Sequence, residues 1–275
     1  MNNINFSIFY NQAEWYKLIS EISDYFVAKK IDLFISVSYL RGPHIELSLN
    51  STKGFAPNDS QFFFDYFKAL LKSHPSSNQN LKSIGNIMFL DAPNNTLHCG
   101  IHKYDLSNDI SCASELYEIH KEVSSIAIQI ILEYDSEFIN METEIILEIF
   151  IVYILVLKDQ NMSSLDIIKE LAQIESQKYD DEILSSLVNL GEENFNANKN
   201  FLTNYFQSVL QDNGHSSGPI WLIMWQSLLL DLKTDSTNFK RFGYTEPNYA
   251  LRLLLKKLNF ELIIPSLIMI ERGIE

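Results

Sequence analysis

DLFISVSYLRGPHIELSL, Asp32 to Leu49, reads as two strands joined at a tight corner. Its first half alternates with the two-residue period of a strand: Leu33, Ile35, Val37 and Tyr39 fall on one face, Phe34, Ser36 and Ser38 on the other. Arg41-Gly42-Pro43 then makes a tight corner, and a second strand starts at His44. There Ile45, Leu47 and Leu49 form an apolar face, so His44, Glu46 and Ser48 line up opposite, polar groups about 6–7 Å apart. Such a row either faces water or lines a pocket, and antiparallel sheets commonly leave one face wet.

Working outward, Asn5–Phe9 reads as a short strand. A helix follows over Gln12–Lys30, with Trp15, Leu18, Ile19, Ile22, Phe26 and Val27 at helical spacing. Beyond the hairpin, Gly54, Pro57 and Asn58 mark a turn-rich segment, and Asp59 or Ser60 is a candidate N-cap for a helix to about Lys72 that carries Phe62, Phe63, Phe67, Leu70 and Leu71. His74–Asn80 is a loop by composition. Strand-like pieces at Gly85–Leu90 and Leu97–Tyr104 are separated by the turn residues Asp91–Thr96.

From Ser111 the pattern turns helical: Ser111–Leu132, Glu142–Leu157, Ser164–Gln177, Glu182–Asn189, Phe195–Gln211, Pro219–Leu232 and Asn248–Ile270, with Ser163 and Asp166 spaced as a capping box. The expectation is one α+β domain over residues 1–275. A mainly antiparallel sheet in a sheet-rich part, 1–110, packs against a helical part, 111–275.

With 46% hydrophobic residues in 275, the chain can bury a sizeable core. Its formal net charge of −14, with arginine only at Arg41, Arg241, Arg252 and Arg272, argues against nucleic acid as a partner. A basic or weakly charged peptide suits such a surface better. Cys99 and Cys112 are too few for a disulfide framework and fit a reducing compartment. The N-terminal MNNINFSIFYNQAEW lacks a basic region followed by an apolar run, so no secretory signal is expected and the protein is read as cytoplasmic. The most hydrophobic run, Ile145–Leu157, is interrupted by Glu148 and is shorter than the roughly 20 residues of a membrane span, so it reads as a buried helix and no membrane is expected.

Tyr39-Leu40-Arg41-Gly42-Pro43-His44-Ile45-Glu46-Leu47-Ser48-Leu49 resembles the F-I-R-Y…G-P-H-L-R-L-R motif of the C-terminal, elimination-type domain of class I lanthipeptide dehydratases. Stand-alone relatives of that domain are the thiopeptide-type bacteriocin biosynthesis proteins, some of them pyridine-forming cycloaddition enzymes. Gly42, Pro43 and His44 agree, whereas Glu46 and Ser48 stand where the motif has arginines and its preceding arginine falls near Val37. Ile101–Asp105 with Ser114-Glu115-Leu116-Tyr117 and Ser124, and Pro265–Met269 near the end, loosely resemble two further elements of the family, without their Arg-Tyr-Gly-Gly and histidine residues. The resemblance implies a precursor peptide and the modifying enzymes of the same pathway as partners.

Elimination of a glutamylated Ser or Thr needs a base for the α-proton and cations for the departing carboxylate. At Glu46 a carboxylate replaces a cation and would repel that leaving group by about 1–4 kcal/mol at 4 Å. Two functions are therefore carried forward. One is a peptide-binding protein resembling a catalytically eroded domain. The other is an enzyme acting on dehydroamino acids by elimination or cycloaddition, with His44 as acid/base and Tyr104 or Glu46 assisting. Cycloaddition asks mainly for orientation of two reacting groups, so lost arginines leave it open. An unrelated α+β protein with a coincidental Gly-Pro-His hairpin is the plain third reading.

No metal or other cofactor is expected: His98 and His102 would share a strand face about 13 Å apart, too far for one ion, and no glycine-rich phosphate loop is present. Trp221 and Trp225, one helical turn apart, read either as core or as the aromatic wall of a peptide groove. The peptide-binding candidates are thus His44, Glu46, Ser48, Tyr104, Trp221 and Trp225. A homodimer is left open.

Overall fold

The computed structural model describes residues 3–39, 41–51, 53–77, 92–99, 114–157, 163–211, 219–234 and 246–274. The fold is α+β, with the sheet in the N-terminal part and helices after it. Two compact units are present: Met1–Ile139 with Arg252–Asn259, and Asn140–Leu251 with Phe260–Glu275.

In the first unit, strands β1 (Asn3–Phe9), β2 (Asp32–Ser38), β3 (His44–Asn50) and β4 (Thr96–Cys99) form an antiparallel sheet ordered β2-β3-β1-β4 among the described residues. The β2–β3 corner needs left-handed backbone at Arg41 (φ 66°) and Gly42 (φ 104°), a conformation glycine adopts without steric cost, and Gly42 N–H closes the turn on the Tyr39 carbonyl at 3.1 Å. One sheet face carries Ile4, Phe6, Ile8, Ile35, Val37, Ile45, Leu47 and Leu49, all buried. Against this side the aromatic residues of two helices interlock, α1 (Trp15–Lys29) and α2 (Asp59–Ser73): Phe67 meets Phe6 edge-on at 4.8 Å, and Phe26 touches both Phe63 and Phe67.

Two positions on these helices differ from the simple periodic reading. Val27 is 77% exposed and Phe62 55% exposed, because each lies about 100° around the helix from the buried Phe26 and Phe63. The expected strand at 85–90 lies outside the described residues, as does Leu97–Tyr104 beyond Cys99. Helix α3 (Ser114–Tyr134) lies along β2, where the Tyr117 ring meets Phe34 at 5.4 Å, its hydroxyl donates to Asp32, and Lys121 pairs with the same carboxylate at 2.9 Å.

The second unit is built on α4 (Glu142–Leu157), which is buried nearly all round from Ile145 on, as a run that is apolar but for Glu148 requires. It is followed by α5 (Ser164–Ser176), opened by the Ser163/Asp166 capping box, then α6 (Asp181–Gln211), α7 (Ile220–Thr234), α8 (Glu246–Leu258), which from Arg252 onward belongs to the first unit, and α9 (Ile263–Ile274). Glu182–Asn189 and Phe195–Gln211, read as separate helices, lie in one helical stretch that a kink at Asn198, with non-helical backbone (φ −121°, ψ 15°), divides in two. The expected helix Asn248–Ile270 is instead two, broken where Asn259 turns left-handed (φ 49°) to end α8. Glu142 Oε1 then accepts from the amides of Glu261 (2.6 Å) and Leu262 (2.9 Å), placing negative charge at the start of α9.

Helix α9 packs against α4, α5 and α6. A Cβ on Gly273 would sit 2.1 Å from Phe206 Cδ2, so hydrogen is the only side chain that fits beside this buried ring. Gly273→Ala is expected to cost about 1–3 kcal/mol of stability, readable in urea melts. An unchanged midpoint would mean that the Phe206 ring moves aside freely.

Candidate functional site

The strand registers place His44, Glu46 and Ser48 beside Phe9, Ser7 and Asn5 of β1 and Ser38, Ser36 and Phe34 of β2. This polar sheet face is not a wetted one. Ser7, Ser36, His44 and Ser48 are buried, and Glu46 remains the more accessible member, its side chain 16% exposed. The sequence left open whether the row faces water or lines a pocket, and burial removes the first of these.

His44 is held on three sides. Its Nδ1–H donates to the Gly42 carbonyl at 2.9 Å, which turns Nε2 toward Glu46. Nε2 stands 3.5 Å from Glu46 Oε1, and the ring stacks on Phe9 at 4.5 Å. Glu46 Oε2 in turn accepts from Ser36 Oγ at 3.2 Å. Ser48 Oγ is buried with no hydrogen-bond partner among the described residues, and neither has Asn5 Oδ1 on the facing strand.

The remaining candidates separate from this cluster. Tyr104 and His102 lie outside the described residues, and His98 is exposed at the far strand, its ring 5.4 Å from Phe9. Trp221 and Trp225 are both fully buried, and the Trp225 indole N–H donates to the Ile149 carbonyl of α4 at 3.1 Å. Their placement as a groove wall is corrected to core packing: seated against an apolar helix, neither ring offers surface to a peptide. Among the described residues no group of three or more His, Cys, Asp or Glu is arranged to hold a metal. Nor is any described helix long and apolar enough to cross a membrane.

Sequence reading missed a buried basic cluster in the same unit. Lys257 of α8 is 1% exposed, donates to the Ile35 carbonyl of β2 at 3.1 Å and lies 5.9 Å over the Phe34 ring. Burial, and secondarily the charge of Lys256, push its ammonium down to about 7. His120 of α3, fully buried, is pushed down to about 3 by desolvation and then by the charges of Lys257 and Lys256. The signal was present: in EPNYALRLLLKKL, Lys257 falls on the same helical stripe as the buried Ala250 and Leu254.

No protein-family model matches the chain, and no curated protein matches it in sequence. Its fold is similar to that of a solved structure, the pyridine synthase TbtD from thiomuracin biosynthesis, with a TM-score of 0.65 over 99% of this chain and 97% of that one. At 12% identity the likeness is one of fold.

Proposed function

We propose that the chain acts in the maturation of a ribosomally made peptide, binding a precursor peptide for the modifying enzymes of its pathway. Support comes from the fold it shares with a pyridine synthase over almost its entire length, together with the Gly42-Pro43-His44 hairpin. The observation that carries the reading is the carboxylate of Glu46, the more accessible member of a covered polar face and the group that stands at an arginine position of the dehydratase motif. A carboxylate there attracts a basic peptide segment and repels a glutamate leaving group.

A second reading, an enzyme acting on dehydroamino acids of the peptide, is favoured by one feature: His44 has its Nδ1 tied to Gly42 and its Nε2 turned toward Glu46, the arrangement of an oriented acid/base.

Calorimetric titration with precursor peptides encoded beside the gene tests the binding reading. Glu46→Gln is expected to weaken a basic peptide about tenfold, the loss of one charge-assisted contact, and added salt to weaken it further. Unaltered affinity in a folded Glu46→Gln variant, or no binding at all, would remove the site. Mass spectrometry after incubation separates the readings, since binding leaves the peptide mass unchanged. A glutamylated Ser peptide is expected to show no elimination above background. Turnover of that peptide would contradict the role given to Glu46.

A further inference from the structure

Register carries the polar row of β3 sideways across the sheet as well as along the strand. Ser36 of β2 pairs with Glu46, Glu46 with Ser7 of β1, and Ser7 with His98 of β4, so these polar side chains stand in one line on one face. The line is closed at one end and open at the other. Beside Ser36, Phe34 is fully buried and meets the Tyr117 ring of α3, whereas His98 is exposed. Ser7 and Ser36 are buried, and solvent reaches this line at β4.

Charge and length decide what fits it. Asp32 and Glu46 are the carboxylates this face carries among the described strands. Asp32 is engaged by Lys121 and the Tyr117 hydroxyl at the closed end, whereas Glu46 meets the Ser36 hydroxyl and the His44 ring. One side of the line is aromatic, because Phe9 stacks on His44 at 4.5 Å and meets His98 edge-on at 5.4 Å. Two strand spacings, about 10 Å, separate the backbone of β4 from that of β3. A ligand backbone lying over β4 therefore reaches Glu46 through a long side chain with an apolar stem and a cationic end.

Resting on the reading of Glu46 as the contact for a basic peptide, we propose that this line is a slot for one lysine or arginine side chain, entered at His98. The peptide backbone crosses at His98, the aliphatic stem passes over Ser7 along the Phe9 ring, and the cation ends at Glu46. His98 is then a recognition residue that hydrogen-bonds the peptide backbone at the mouth of the slot. The slot selects the length of the stem as well as the charge at its end, which a carboxylate on an open surface does not.

NMR titration of the full chain with end-blocked pentapeptides tests this, the probes carrying lysine, ornithine, diaminobutyrate or norleucine between two pairs of alanines. The lysine probe is expected to bind best. Each methylene removed from its stem should weaken binding about fourfold, the loss of one buried CH2. Norleucine, with the stem but no charge, should bind at least about tenfold more weakly than lysine. His98→Ala, a change at an exposed position, should weaken the lysine probe about three- to tenfold, and His98→Gln, which keeps a hydrogen-bonding group, should recover most of that. Equal affinity for lysine, ornithine and diaminobutyrate would overturn the slot while leaving Glu46 as a contact for basic peptides. So would unaltered lysine affinity in His98→Ala. Norleucine bound as tightly as lysine, or no probe bound at all, would remove the reading of Glu46 and the slot with it.

Discussion

Between pH 7 and pH 10 the native protein is expected to gain stability, and Lys257→Met to lose most of that gain. In the fold the Lys257 ammonium is pushed from 10.5 down to about 7, so across this window the unfolded chain binds a proton that the folded chain does not. Stability then rises with pH. The contribution is complete only above the unfolded value and is lost as pH falls through the folded one. A shift of this size corresponds to about 4–5 kcal/mol over the window. Methionine keeps the aliphatic stem and removes the titrating group, at a cost of about 1 kcal/mol for the hydrogen bond to the Ile35 carbonyl. Lys257→Met should therefore be more stable than the native chain at pH 7, by on the order of 2–4 kcal/mol, and close to it at pH 10. His120, pushed from 6.5 down to about 3, adds a separate loss on the acid side, between those two values. Urea melts at fixed pH steps read both. Parallel pH profiles for native and variant would show that the ammonium keeps its ordinary affinity for the proton, as a lysine reached by water does.

Trp225→Ala is expected to lower the unfolding free energy by about 3–5 kcal/mol. The ring is fully buried, so truncation removes its packing and leaves a cavity, and the indole hydrogen bond to the Ile149 carbonyl is lost as well. Trp225→Phe restores most of the volume without the N–H and should recover more than half of the loss. Peptide affinity per folded molecule should be unchanged in both variants. Near-native stability combined with lost affinity would return the residue to a groove wall.

Much of the sheet and of the central helix is legible in local patterns. The alternation on either side of Arg41-Gly42-Pro43 fixes β2 and β3 and the face each residue occupies, since a one-residue slip would turn Ile45, Leu47 and Leu49 outward. The apolar run Ile145–Leu157, broken only by Glu148, marks the body of a central helix, and Ser163 with Asp166 marks the start of the next. These signals are local: each rests on residues within a few positions of one another. What is local but weak was misread, as at Asn259, where one left-handed residue divides an apolar run that periodicity alone would continue.

Periodicity reports which residues share a face but not what lies against it. That the His44–Glu46–Ser48 row is covered and the tryptophan pair is core follows from packing between distant segments. Lys257 and Ile35, 222 positions apart, are likewise joined by a hydrogen bond that no sequence spacing announces. Burial, and with it the cost of keeping a charge, comes from the elements that fold back from elsewhere in the chain. The same lysine pattern would mean a snorkelling surface residue if α8 lay against water, and it means a depressed ammonium because β2 lies there instead.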